Sequence, residues 1–255
     1  MKVAVITGAG SGLGAATARR FHRDGWKLVL GDLRPEGLAE IAAELQATAV
    51  ACDVSDEAQV QALVQTAIDR HGRLDCMINN AGILGALGPI GQTEAQDFNR
   101  VLDIMVSGVF YGTKHAANAM GTDGGSILNT ASIAGIGAWA NHSYTTAKHA
   151  VVGLTRSSAV ELAPRRITVN ALAPGNVITT MTSNLSGGAD VAYERALGRN
   201  PIPYVCTPED IADAFAYLAG PSARGITGQV LAIDSGLSVA VVPPAYHLSP
   251  SKFVD

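Results

Sequence analysis

The segment Thr7-Gly8-Ala9-Gly10-Ser11-Gly12-Leu13-Gly14 decides how this chain folds. It follows a β-branched run at residues 3–6 and leads into apolar residues at helical spacing over residues 13–21, so the pattern predicts a strand, a glycine-rich turn and a helix. Bare glycine backbone before a helix N-terminus favours binding of a pyrophosphate. Taken alone, the cluster is also compatible with a tight turn against which the helix packs.

The alternation of strand and helix continues along the chain. Further strands are predicted at residues 27–31, 47–52, 74–78, 126–129, 167–172 and 229–233, and they are separated by helical patterns at residues 35–46, 55–71, 93–120, 143–162 and 210–218. Strands joined by helices of this length need right-handed crossovers and form a mostly parallel sheet. The sequence therefore predicts an α/β fold, a single doubly wound domain whose seven-stranded sheet has helices on both faces.

The predicted domain organisation is a catalytic domain over residues 1–238 and a C-terminal tail over residues 239–255. Within the domain, residues 174–208 lack a regular pattern and are interrupted by Gly187-Gly188 and by Pro201, Pro203 and Pro208. A connection of this length is unusual in a compact domain unless it is functional. We therefore expect this segment to be a substrate lid.

Composition excludes several classes of protein. Of the 255 residues 47% are hydrophobic and 16% charged, which is typical of a globular domain with a large core. The net charge of −4 without a run of Lys or Arg argues against a nucleic-acid partner,, and no uninterrupted apolar stretch is long enough for a membrane span. Three cysteines without C-x-x-C spacing, and histidines without H-E-x-x-H, predict no metal site and a reducing, cytoplasmic location,.

Asp32 lies at the end of the second predicted strand, twenty positions after Gly12. A carboxylate there accepts hydrogen bonds from ribose hydroxyls and repels a 2′-phosphate, which predicts NAD in preference to NADP. Arg34 is a possible partner for such a phosphate, so NADP remains an alternative cofactor. Asp53 and the segment Asn79-Asn80-Ala81-Gly82 follow the third and fourth strands, at the edge where ligands bind to a parallel sheet,.

Tyr144 and Lys148 are spaced i, i+4 and share one face of a predicted helix, downstream of Ser132 at the end of the fifth strand,. Hydride transfer to a ketone needs a proton donor, and a cation beside a tyrosine lowers the phenol pKa from about 10 towards neutrality. A Tyr and Lys at this spacing are more often a solvated surface pair, but their position opposite a dinucleotide crevice favours a catalytic role.

The ordered set of motifs resembles the short-chain dehydrogenase/reductase family over residues 1 to about 238. The matching segments are Thr7 to Gly14, Asp53, Asn79 to Gly82, Ser132 with Tyr144-x-x-x-Lys148, and Pro174-Gly175 followed by Val177 and Thr179. The resemblance implies a Rossmann-type fold and an NAD-dependent enzyme that interconverts a small-molecule secondary alcohol and a ketone. It also implies a homotetramer, in which the helices at 93–120 and 143–162 pack against other subunits.

The resemblance assigns roles to individual residues. Tyr144 is the general acid or base, Ser132 polarises the substrate oxygen, and Lys148 binds the nicotinamide ribose and lowers the pKa of the tyrosine. Asp32 binds the adenosine ribose, and Asp53 with Val54 contacts the adenine. The implied cofactor-binding residues are Gly8, Ser11, Gly12, Leu13, Gly14, Asp32, Leu33, Asp53, Val54, Asn80, Ala81, Gly82, Tyr144, Lys148, Pro174, Gly175, Val177 and Thr179.

The chain departs from the family where an asparagine is usual three positions before Gly108, because it has Met105 there. That asparagine anchors a water of the proton relay largely through its main-chain carbonyl, which methionine also has, so we expect catalysis to survive. Two other functions remain possible: a C=N or C=C reductase of the same fold, and a non-catalytic NAD(H)-sensing protein. Trp139, Asn141 and His142, upstream of Tyr144, are interpreted as solvated loop residues.

Overall fold

The architecture is described by a computed structural model covering residues 1–179, 182 and 187–240. The strands are β1 (Val3–Thr7), β2 (Lys27–Asp32), β3 (Thr48–Ala51), β4 (Cys76–Asn79), β5 (Gly125–Thr130), β6 (Ile167–Pro174) and β7 (Val230–Ile233). The helices include α1 (Gly12–Arg23), α2 (Pro35–Leu45), α3 (Glu57–His71), α4 (Ala95–Leu102), α5 (Gly108–Met120), α6 (His142–Leu162), α7 (Ala189–Leu197) and α8 (Pro208–Leu218).

The strands form one seven-stranded sheet in the order β3-β2-β1-β4-β5-β6-β7. Every neighbouring pair is parallel, and in the centre Val5 pairs with Val29 on one side and with Met77 on the other. The chain order reverses between β1 and β4, which is the arrangement of a doubly wound fold. The predicted α/β fold class is confirmed.

Alternate residues of the central strand build the two halves of the core. Ile6 packs in a cluster with Phe21 of α1 and Phe215 of α8, whereas Val5 belongs to the cluster on the opposite face, which includes Leu63 of α3. Successive strand side chains point to opposite faces, so a strand buried on both sides is apolar throughout. This is why β1 is a continuous apolar run rather than an alternating one.

Two details differ from the sequence prediction. The pattern over residues 93–120 forms α4 and α5, joined by a π-helical turn at Asp103–Ser107 in which the Gly108 N–H donates to the Asp103 carbonyl. The expectation of irregular structure throughout 174–208 is wrong for α7, because Ala, Glu and Leu after the Gly187-Gly188 break favour a helix,. Residues 180, 181 and 183–186 of the segment predicted to be a lid, and residues 241–255 of the predicted tail, lie outside the described residues.

The described part of the chain contains no helix that is long and apolar enough to cross a membrane.

Close packing of α5 against β4 generates a stability prediction. A Cβ atom at Gly112 would collide with Oδ1 of the buried Asn79, whose Nδ2 donates to Asn129 Oδ1 at 2.9 Å and so keeps the amide in place. Gly153 in α6 has open space around it. Both substitutions to Ala gain the same helix propensity, so the difference between the two variants reports the collision at Gly112. We expect Gly112→Ala to be about 2–3 kcal/mol less stable than Gly153→Ala in urea unfolding. Equal stability of the two variants would contradict this packing.

Candidate active site

A cavity of about 520 Å³ opens at the carboxyl edge of the sheet. It is lined by Ser132 and by every position named above as a candidate for cofactor binding except Gly14. The structure therefore brings residues from seven separate segments of the sequence into one continuous pocket. Gly14 serves packing instead, because a Cβ atom there would collide with the Gly8 carbonyl oxygen.

The glycine turn presents the N-terminus of α1 to this cavity. Ser11 is the N-cap residue, but its side chain makes no capping hydrogen bond to the first turn. The helix begins with Gly12 and Leu13, both of which line the cavity. Amides of a first turn that are left uncapped are donors for an anion, and the helix dipole favours negative charge there. This end of the cavity fits a pyrophosphate.

Asp32 lies beside the turn, with its side chain buried against backbone amides. Oδ2 accepts from the Gly10 N–H and Oδ1 from the Arg34 N–H, each at 2.9 Å. The Arg34 guanidinium extends outwards and donates to Ser11 Oγ at 3.3 Å, and its Nε is 4.0 Å from Asp32 Oδ1. The Asp32 carboxylate is thus fixed at the cavity wall, and the long cationic side chain of Arg34 lies next to it.

Asp53 and Val54 form the neighbouring wall. Asp53 Oδ1 accepts from the Ser55 N–H at 2.9 Å and from the Ser55 hydroxyl at 2.7 Å, and Val54 is buried against Gly108 of α5. The Cys52 thiol also lines the cavity, but burial raises its pKa to about 11. It is therefore a neutral thiol near pH 7 and not an activated nucleophile.

Asn80 joins three strands at the centre of the cavity. Its Nδ2 donates to the carbonyl oxygens of Thr7 at 3.0 Å and Gly8 at 3.2 Å, and its Oδ1 accepts from the Thr130 hydroxyl at 3.2 Å. The amide therefore holds the ends of β1, β4 and β5 together. These hydrogen bonds fix the cavity wall between the glycine turn and Ser132.

Ser132, Tyr144 and Lys148 meet at the other end of the cavity. Ser132 Oγ accepts from the Ala134 N–H at 3.1 Å, and the Ser132 side chain acts to lower the Tyr144 phenol pKa. Lys148 lies one helical turn further along α6, with Nζ 5.5 Å from the centre of the Tyr144 ring. A hydroxyl, a phenol and an ammonium group thus face one space.

Burial opposes ionisation of the Tyr144 phenol in the cofactor-free chain. Removal of the phenol from water raises the Tyr144 pKa, and this effect exceeds the lowering by Ser132. The ammonium is buried and donates to the Thr130 carbonyl at 2.6 Å, and burial lowers its own pKa to about 8. An ammonium has three donors, so a hydroxyl-rich ligand such as a ribose fits beside it.

Met105 is fully buried in the π-helical turn and lines the cavity. It packs in a small apolar cluster with Val101 and Ala147, against which Ile83 and Tyr144 also lie. Its sulfur would be 3.4 Å from a Cβ atom at Gly82. The side chain that replaces the usual asparagine therefore makes this wall of the site apolar, because a thioether packs as a hydrophobe.

Sequence reasoning missed several residues that hold the site. Thr182 accepts from the Thr179 N–H at 2.9 Å and donates to the Val177 carbonyl at 2.9 Å, fixing the segment after β6. Asn141 is not a free loop residue, because it caps α6 through the Tyr144 N–H at 2.9 Å. An Asn before a helical pattern is a recognisable N-cap signal. Nothing in the sequence identified its long-range partners.

Groups of three or more His, Cys, Asp or Glu side chains able to hold a metal ion are absent from residues 1–179, 182 and 187–240.

Comparison with known proteins gives a consistent result. A family model described as "Enoyl-(Acyl carrier protein) reductase" matches residues 8–238. The chain is 43% identical over 241 residues to a mitochondrial borneol dehydrogenase of Lavandula x intermedia, covering 93% of this chain and 91% of the relative. It is 40% identical over 253 residues to levodione reductase of Leifsonia aquatica, covering 94% and 95%.

Solved structures share the same fold. A crystal structure of levodione reductase superposes with a TM-score of 0.89 at 38% identity, covering 94% of this chain and 98% of that one. A 3-ketoacyl-(acyl-carrier-protein) reductase from Brucella melitensis, complexed with NADH, superposes with a TM-score of 0.83 at 34% identity, covering 93% and 98%.

The buried Lys148 makes stability depend on pH in a defined direction. Its pKa is about 8 in the folded chain and 10.5 ordinarily, so between these values the unfolded chain binds more protons and the free energy of unfolding rises with pH. We expect wild type to gain roughly 2 kcal/mol relative to Lys148→Met between pH 8 and 10. Urea unfolding at both pH values measures this, and a constant difference between the two proteins would show that the ammonium is not desolvated.

Proposed function

Because the chain belongs to the short-chain dehydrogenase/reductase family of oxidoreductases, we propose that it interconverts a secondary alcohol and a ketone with NAD as its cofactor. The observation that carries the proposal is that Ser132, Tyr144 and Lys148 line the same cavity as the N-terminus of α1 and Asp32. A proton donor and a dinucleotide-sized channel therefore share one space.

The residues divide the work by chemistry. The Ser132 hydroxyl donates to the substrate oxygen, and the Tyr144 phenol gives its proton to that oxygen in reduction or takes the alcohol proton in oxidation. The ammonium of Lys148 stabilises the phenolate, and its pKa of about 8 keeps it mostly charged at pH 7. A bound nicotinamide supplies or accepts the hydride. The apolar wall around Met105 keeps water away from the phenol.

The proposed cofactor residues follow the length of the cavity. The first turn of α1 would bind the pyrophosphate, Asp32 the adenosine ribose, Asp53 and Val54 the adenine, Lys148 the nicotinamide ribose, and Thr179 the carboxamide. The fixed carboxylate of Asp32 supports NAD, because it repels a 2′-phosphate. Arg34 lies close enough to soften this repulsion, so the preference is a difference in affinity and not an absolute exclusion.

The proposed substrate is a compound whose carbon skeleton is an apolar ring. The substrate end of the cavity is lined by Ile83, Leu84 and Met105, and buried apolar contacts favour a hydrocarbon skeleton over a charged one. The relatives reported above are named for borneol and levodione, compounds whose oxygen lies on a saturated carbon ring. We therefore place a cyclic secondary alcohol or ketone here.

Reduction of a C=C bond is the second candidate, because the matching family model is described as an enoyl reductase. The Ser132 hydroxyl and the Tyr144 phenol provide two donors for a carbonyl oxygen, whereas an isolated C=C bond has no atom that accepts from them. Assays with cyclic alcohols, ketones, enones and imines, followed by absorbance of reduced nicotinamide, separate these activities from each other and from a cofactor sensor without turnover.

We also propose a homotetramer in the cytoplasm. Phe110 in α5, Val160 in α6 and Leu231 in β7 are exposed apolar side chains, which favours burial against other subunits. All three cysteines are free, as expected in a reducing compartment. Sedimentation should give a tetramer, whereas a monomer at micromolar concentration would contradict the assembly.

Tyr144→Phe tests the proton donor directly. The ring packs alike but cannot exchange a proton, so we expect kcat to fall by about 10²–10⁴-fold while NAD binding is retained. Initial rates and a fluorescence titration with NAD measure the two effects. The control is Tyr217→Phe, at an exposed tyrosine of α8, which should behave as wild type. Retention of more than about a tenth of kcat by Tyr144→Phe would exclude a general acid or base role.

Asp32 variants test the choice of cofactor. Asp32→Asn keeps the size and one of the two acceptor oxygens but removes the charge, so we expect the ratio of kcat/KM for NADP to that for NAD to rise by about tenfold or more,. Asp69→Asn, on the outer surface of α3, is the control for a lost charge. Wild type that used both cofactors equally would remove the proposed role of Asp32.

A further inference from the structure

The Asn141 side chain connects two segments that are 57 residues apart in the sequence. Its Oδ1 accepts from the Tyr144 N–H at 2.9 Å and from the Ser143 hydroxyl at 2.8 Å. Its Nδ2 donates to the Leu84 carbonyl at 2.9 Å, in the loop that follows β4. One amide therefore caps α6 with its oxygen and holds the loop with its nitrogen.

Ser143 provides a second connection to the same loop. Its side chain is fully buried, and its Oγ accepts from the Ala86 N–H at 3.2 Å while donating to Asn141. The loop backbone is thus bound by a donor on one side of Gly85 and by an acceptor on the other. A buried amide that lost this partner would be costly.

Gly85 makes this close approach possible. It has φ +82°, and a Cβ atom there would lie 2.7 Å from Ser143 Oγ and 3.4 Å from Asn141 Oδ1. Only glycine adopts this backbone readily. The loop therefore lies directly on the first turn of the helix that carries Tyr144.

The bound loop forms the substrate side of the cavity. Ile83 and Leu84 line the same cavity as Ser132 and Tyr144, and Ile83 packs with Met105 and Tyr144. Movement of the Leu84 carbonyl away from Asn141 would widen this wall without displacing Tyr144 from α6.

We propose that Asn141 is a positioning residue that clamps the 83–86 loop to the start of α6 and so fixes the substrate wall relative to the Tyr144 phenol. Its catalytic consequence rests on the proposed oxidoreductase function. The clamp itself is a property of the cofactor-free protein, and it predicts that loss of the Nδ2 donor affects substrate KM more than kcat or NAD binding.

Asn141→Ser separates the two roles of the amide. Serine is as good an N-cap as asparagine, so the first turn of α6 remains capped, but its side chain is too short to reach Leu84. Asn141→Asp is the second variant, because it also keeps the cap acceptor and lacks the donor. Asp56→Ala removes the N-cap of α3 and is the control for loss of a cap elsewhere.

Hydrogen exchange on the cofactor-free protein tests the clamp. In Asn141→Ser and Asn141→Asp we expect exchange in residues 84–88 to be about tenfold faster, with the Tyr144 amide still protected. Asp56→Ala should leave both segments unchanged. Unaltered exchange in 84–88 would overturn the proposal, and so would loss of protection throughout α6, which would make Asn141 only a cap.

Kinetics test the consequence, using the best substrate among borneol and a series of cyclohexanols. We expect KM for the alcohol to rise about tenfold in both Asn141 variants, with kcat within about threefold and NAD affinity unchanged. Wild-type KM in variants with faster loop exchange would overturn the positioning role. If wild type oxidises none of these alcohols, the proposed function fails, whereas the exchange experiment still decides whether Asn141 holds the loop.

Discussion

Parallel pairing of all seven strands is the constraint on which the rest of the structure depends. Because each strand must run in the same direction, every connection returns by a crossover, and the carboxyl ends of the strands open at one edge of the sheet. Asp32 is the last residue of β2 at that edge, and the glycine turn, Asn80, Ser132 and Gly175 follow the ends of other strands there. Residues far apart in the sequence become neighbours for this reason alone, and the cavity is the space between their loops.

The site combines charged and apolar surroundings in a way that sets its chemistry. The cofactor half is built from backbone donors and the fixed carboxylate of Asp32, whereas Met105 and Ile83 make the surroundings of Tyr144 apolar. This burial lowers the pKa of Lys148 and raises that of Tyr144. A dinucleotide bound along the cavity would bring hydroxyls to the ammonium, so the protonation behaviour of the complex should differ from that of the free protein.

Much of the fold could be predicted from the sequence because it rests on local periodicity. The alternation of apolar runs predicted the parallel sheet, and strand ends predicted which loops meet. Sequence patterns were less informative where three-dimensional packing determines the structure. The short helix α7 was not predicted, and the π-helical turn at Asp103–Ser107 interrupts a continuous helical pattern. Gly14 allows close packing and does not line the cavity. The partners of Asn141 and the desolvation of Lys148 depend on tertiary contacts, which no spacing rule encodes. The roles of the candidate site residues remain predictions.

The most direct test of the account is to follow the hydrogen of the alcohol carbon. The protein would be incubated with NAD and a cyclic secondary alcohol, borneol or a cyclohexanol, that carries deuterium at the carbinol carbon, and the reduced nicotinamide would be analysed by mass spectrometry. The account predicts one deuterium on the nicotinamide ring together with formation of the ketone. If no ketone formed, or if the reduced cofactor carried no deuterium, the assignment of this cavity to alcohol and ketone interconversion would be contradicted.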